Sequence, residues 1–211
     1  MFNKYIRHDR LDYDFLLPPL KLDHYDWSKK EAEQYFHWFV KCVPIRAEYV
    51  MGKALEHAGL QIDDSMDPET ILQFVWAWFL SVATTEKVPT KERIRNKLRF
   101  GQFGDSFCPK VRLSASTEFI IRDIGMLMGY LYTKNHSCLK WELLTKPKNH
   151  IFFNHPVLSG FVDADYSPPF HTKMEPIHMV GVQAVRLLDG RARDTDLRNI
   201  YSIWKRMIPE E

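Results

Sequence analysis

Residues 117–136 read TEFIIRDIGMLMGYLYTKNH. The stretch is apolar around almost the whole of a 3.6-residue turn, which predicts a helix enclosed by other elements rather than one lying on a surface. Yet it carries Glu118, Arg122 and Asp123, and two glycines, Gly125 and Gly129. At roughly 100° per residue, Glu118, Arg122, Gly125 and Gly129 fall on one narrow stripe. The glycines make that stripe a smooth groove for another backbone, either a helix or the segment bearing Trp141. The functional alternative is a groove that admits a ligand or a partner chain, with Arg122 at its mouth. Glu118 and Arg122, four residues apart, are expected to pair. Asp123 points elsewhere, among Phe119, Met126, Leu127 and Tyr130. A carboxylate in such company needs donors, because burying it unpaired is costly. It is read either as a buried acceptor for a tryptophan, a tyrosine or a loop backbone, or as an acid of raised pKa.

Working outward, Ser28 with Glu31 matches a capping box and opens a helix over SKKEAEQYFHWFVKC. Pro44 is expected to kink that helix or to begin a second one running to about His57, with Gly59 as its C-cap. Asp67-Pro68-Glu69 is a helix start followed by the apolar run ILQFVWAWFLSVA. GQFGDSFCPK reads as a loop, and Ser114 or Ser116 caps the central helix. CLKWELLTK, HIFFN and PVLSGFV read as strands, and residues 163–174 as a polar loop. Two helices close the chain, EPIHMVGVQAVRLLDG and DTDLRNIYSIWKRMI, the second capped by Asp194. The expected fold class is α+β: a mainly helical single domain over 28–211 with a small antiparallel sheet late in the chain. Residues 1–27, rich in aromatic rings, are expected to form an extended arm packed on that body.

Of the 211 residues, 45% are hydrophobic and 14% aromatic, enough to build a substantial core. The net charge of +2 gives no global argument for nucleic acid or an anionic membrane as partner. No apolar window is long enough for a transmembrane helix, and the charged N-terminus lacks a signal core. Three widely spaced cysteines, Cys42, Cys108 and Cys138, fit reduced thiols in a cytoplasm.

No P-loop, GxGxxG, GxSxG or SxxK pattern is present. His136, His150, His155, His171 and His178 lie in the C-terminal half without a metal-ligand spacing, so neither a metal nor a cofactor is expected. KERIRNKLR concentrates Lys91, Arg93, Arg95, Lys97 and Arg99 against Glu92. As a helix it would turn Ile94 and Leu98 to the core and spread its charges over solvent or an acidic partner. A phosphate contact is the alternative, though the sequence offers no aromatic platform for single strands.

SKKEAEQYFHWFV, TEFIIRDIGMLMGYLY, LKWELLTKPKN and NHPVLSGF together resemble, over residues 28–162, uncharacterised small bacterial α+β proteins, some similar to toxin-immunity proteins. The resemblance implies a bacterial cytoplasmic binding protein and carries over no catalytic residue. The expected function is therefore a non-enzymatic interaction module, an immunity or regulatory protein whose partner is another protein. The segment 91–99 or the loop 163–174 would supply its surface. The binding candidates are Arg93, Arg95, Arg99, Arg122 and Asp123. Two alternatives stand beside it: an enzyme with a cleft around Asp123 and Arg122 joined by a loop histidine such as His171, and a nucleic-acid binder through 91–99.

Overall fold

The computed structural model describes residues 12–20, 24–61, 65–100 and 109–209, and the side chains of these except 96–100. Residues 1–11 of the expected arm, Cys108, and the side chains of Lys97, Leu98 and Arg99 lie outside that description.

Among the described residues the fold is α+β, with helices α1 (Lys29–His57), α2 (Pro68–Val82), α3 (Thr90–Phe100), α4 (Ala115–Asn135), α5 (Pro176–Val185) and α6 (Asp196–Lys205). Strands β1 (Thr85–Lys87) and β2 (Val111–Leu113) form an antiparallel pair. Strands β3 (Lys140–Leu143), β4 (Pro156–Asp163) and β5 (Phe170–Met174) form a second antiparallel sheet, with β4 central. No helix among the described residues is long and apolar enough to cross a membrane.

The quoted stretch is α4, and it is the axis of the fold, buried almost continuously from Ser116 to Tyr132. Ser114 caps it, accepting from the Thr117 amide. The glycine stripe is filled by close packing. A Cβ on Gly125 would stand 2.7 Å from the Ile177 Cα of α5, and one on Gly129 would stand 2.1 Å from the Trp141 ring of β3. Trp141 is in turn met edge-on by Phe39 of α1, with centroids 5.1 Å apart. At the far end Tyr132 stacks on Tyr201 of α6 at 4.2 Å, and its hydroxyl donates to the Tyr201 carbonyl at 2.7 Å.

Several expectations are corrected. Pro44 does not begin a second helix: α1 runs unbroken through it. Pro44 is exposed while Val43, Arg46, Ala47 and Val50 around it are buried, so packing on α4 carries the helix past the missing amide. HIFFN is a turn, not a strand. The His150 ring accepts from the Phe152 amide at 3.1 Å, and Asn154 adopts φ 62°, which no strand allows. The end of the expected loop 163–174 is instead strand β5, paired from Leu158↔Met174 to Asp163↔Phe170. Asp194 does not cap α6, whose N-cap is Thr195; the Asp196 carboxylate accepts from the Arg193 amide at 2.8 Å instead. Ile94 is 55% exposed and does not face the core.

Candidate functional site

Two polar systems meet at Arg122 on α4. The first is the buried cluster around Asp123. Asp123 Oδ2 accepts from Tyr13 at 2.7 Å and from Arg46 Nε and Nη2 at 3.1 and 2.6 Å. Arg46 also donates to the Asp14 carbonyl at 2.7 Å, and Arg122 Nη2 donates to the Leu16 carbonyl. These bonds lace residues 13–16 across α1 and α4. Of the two readings of Asp123, the geometry gives the buried acceptor, with a tyrosine and an arginine as donors. The Tyr13 phenol is pushed far above its usual range, first by burial and then by the Asp123 charge, so it is a donor at any ordinary pH.

The second system is a cavity of about 950 Å³ on the other side of Arg122. That size lies at the upper end of the ~300–1,000 Å³ typical of small-molecule sites. One wall is α4, with Phe119, Ile121 and Arg122, and the facing wall is α5, with Ile177, Gly181 and Val182. The turn 151–156 contributes Phe152 and His155, and α1 and the arm contribute Tyr35 and His24. The local sequence builds these walls directly. Gly125 lets α5 approach α4 through Ile177, and α5 then diverges along Gly181, where a Cβ would meet only Ile121 Cγ2, 3.9 Å away. The rim carries the exposed aliphatic residues Ile151, Val182 and Val185 beside the exposed polar residues Glu118 and His178.

The polar groups of the cavity are few. His24 and His155 stack with ring centroids 3.8 Å apart. Burial pulls both imidazoles down, His24 to about 4 and His155 to about 3, the latter also opposed by the charges of His24 and His178. Both are neutral at physiological pH. Glu175 caps α5, accepting from the His178 amide, and burial pushes its carboxyl up to about 8. That helix terminus is therefore already occupied by a side chain. Arg122 is 4% exposed, and its Nε and Nη1 have no hydrogen-bond partner among the described residues. Its guanidinium lies 5.0 Å from the Phe119 ring centroid and 5.7 Å from that of Trp38.

The expected pairing of Glu118 with Arg122 is replaced. Arg122 turns inward to Leu16 and Asp123, while Glu118 stays exposed at the cavity rim. Arg122 and Asp123 are thus adjacent but serve different systems: Arg122 borders the cavity and Asp123 is sealed under the arm. Asp123 does not line the cavity: its carboxylate is fully buried, with Oδ2 held by Tyr13 and Arg46. Arg93 is half-buried on α3, Arg95 is exposed, and neither borders the cavity. Glu92 there is held by Arg112, which bridges to it at 2.9 Å and to Glu86 at 2.7 Å.

No group of three or more His, Cys, Asp and Glu side chains among the described residues could hold a metal ion. Burial pushes the Cys42 thiol up, the opposite of nucleophile activation. His155 and His178 stood out in the sequence only as possible ligands, and Glu175 only as the first residue of a stretch read as a helix. Their convergence on a cavity has no sequence period.

Fold and site together define an α+β protein with a half-open, mostly apolar cavity bordered by a buried cation. Comparison with family models, curated proteins and solved structures finds no match to this chain.

Proposed function

We propose that this chain is a non-enzymatic binding protein that takes a small apolar molecule into the cavity between α4, α5 and the 151–156 turn. The observation that carries this reading is the cavity itself, about 950 Å³ and walled chiefly by aliphatic and aromatic side chains. Neutral imidazoles and a proton-retaining carboxyl supply shape and hydrogen bonds rather than a nucleophile paired with a base. The test is thermal unfolding of the full chain with increasing 1-octanol, against the variant Gly181→Leu. The leucine would occupy part of the cavity, since Gly181 lines it and a Cβ there meets only Ile121, 3.9 Å away. Saturable stabilisation of the wild type, lost in Gly181→Leu, supports the reading. Absence of saturable stabilisation by any apolar probe refutes it.

A second reading, engagement of another protein, is favoured by Tyr166 and Phe170. They are 61% and 58% exposed, with ring centroids 6.0 Å apart, beside the edge strand β5. Exposed paired rings at a sheet edge suit a protein contact. Replacing both with serine should leave unfolding unchanged and abolish recognition of such a partner. Unchanged recognition would remove this surface from consideration.

A further inference from the structure

The cavity carries a charge that the walls do not answer. Arg46 and Arg122 are two buried guanidinium groups, and among the described residues the one buried carboxylate between them is Asp123. Asp123 commits Oδ2 to Tyr13 and Arg46, and meets Arg122 only through Oδ1 at 3.5 Å. Asp14 is 3.9 Å from Arg46, but its side chain is 86% exposed and spends its charge in water. Glu175 is committed to capping α5, and Glu118 lies out at the rim. Arg122 therefore keeps three N–H donors, one on Nε and two on Nη1, without a partner among the described residues. A buried guanidinium left this way is costly, and the rings of Phe119 and Trp38 answer it only in part.

We propose that the molecule held in the cavity is an apolar monocarboxylate whose carboxylate seats on Arg122. This inference rests on the binding reading above and specifies its ligand. A carboxylate brings the single negative charge the site lacks, and its two oxygens match the few free donors. A phosphate monoester would bring up to two charges and three terminal oxygens to a wall with one unpaired cation among the described residues. A cationic ligand would face Arg122 itself. The Phe119 ring lies 5.0 Å from the guanidinium and also lines the cavity, and Nε and Nη1 are buried behind the wall, so seating the carboxylate on them requires that ring to move aside. The apolar tail then lies along Ile121, Ile177 and Val182. Leu16, whose carbonyl accepts from Nη2 of the same guanidinium, ties the arm to the occupied site.

The experiment is calorimetric titration of the full chain near neutral pH with four probes of one tail length: octanoate, 1-octanol, octylamine and octyl phosphate. The wild type should bind octanoate roughly tenfold or more tightly than 1-octanol, the usual worth of hydrogen bonds to a charged group. Arg122→Met should erase that preference while still binding octanol, and Arg122→Lys should restore part of it. If Arg122→Met does not fold, the wild-type ratio and Arg122→Lys decide. Equal binding of octanoate and octanol overturns the carboxylate assignment and leaves the apolar-cavity reading standing. Tighter binding of octyl phosphate or octylamine overturns it in favour of those head groups. An octanoate preference undiminished in Arg122→Met removes Arg122 from the site. Failure of all four probes overturns both this inference and the reading beneath it.

Discussion

Arg46 of α1 and Asp123 of α4 meet at 2.6 Å, with side chains 5% and 0% exposed. This ion pair joins the two longest helices and also receives the arm through Tyr13 and the Asp14 carbonyl. A buried pair adds little relative to a well-packed apolar pair, but removing one member leaves a charge stranded.

Asp123→Asn should therefore cost about 3–5 kcal/mol, the range for breaking a buried pair. Urea unfolding measures it. Tyr13→Phe, which removes one donor to the same carboxylate, should cost about 1–2 kcal/mol, and its effect should shrink when Asp123 is already Asn. Additive losses would mean that the two residues do not act through one network.

The two kinds of glycine in the helices should answer alanine oppositely. Gly129→Ala places a Cβ 2.1 Å from a Trp141 ring that Phe39 holds in place, so it should destabilise by about 1–3 kcal/mol and shift tryptophan fluorescence. Gly52, inside α1, has nothing within 4 Å of a built Cβ, so Gly52→Ala should stabilise by about 0.5–1 kcal/mol. Losses at both positions would contradict the seam between α4 and β3 as the cause.

Pro44→Ala should raise stability. The residue is exposed inside α1, so the substitution restores a helical amide without disturbing the core. A helix-interior proline costs about 3 kcal/mol, and its stiffening of the unfolded chain returns about 0.4–1 kcal/mol. A net gain of about 2–2.6 kcal/mol in chemical denaturation is expected.

Stability should peak near pH 6.5. His24 and His155, ordinarily titrating at 6.5, stay neutral in the fold down to about 4 and about 3. Their contribution is complete above pH 6.5 and is lost as pH falls through those folded values, because the unfolded chain takes up the protons. Glu175 runs the other way: its folded carboxyl titrates at about 8 against an ordinary 4.5. Its contribution is complete below pH 4.5 and is lost as pH rises through 8. Where the windows overlap, two histidines oppose one glutamate, so stability climbs to about 6.5 and then declines. Glu175→Gln keeps an acceptor for the cap and should flatten the alkaline decline in urea midpoints. An unchanged decline would exclude Glu175 as its source.

Much of the fold was legible because its signals are local. Ser28 with Glu31, Asp67 before Pro68, and Ser114 before α4 satisfy orphan amides within one turn, and each opens a helix where the sequence places it. Strands β3 and β4 were also readable. Strands β1 and β2 were not, since three residues each are too few to show a period and their pairing spans the whole of α3. Strand β5 was hidden behind Pro168 and Pro169, and HIFFN misled because its apolar content resembles a strand while Asn154 takes a left-handed turn.

The sequence by itself determined that α4 would be buried, that its glycines would form a smooth groove along one stripe, and that Asp123 would need donors. Those conclusions follow from helical period and from the cost of an unpaired charge, both properties of nearby residues. Only the tertiary structure decided who the donors are, because Tyr13 and Arg46 reach Asp123 from 110 and 77 positions away. It alone separated Arg122 from Glu118 and turned it toward a cavity, since a void between α4, α5 and a turn belongs to how elements diverge and leaves no period in any one of them.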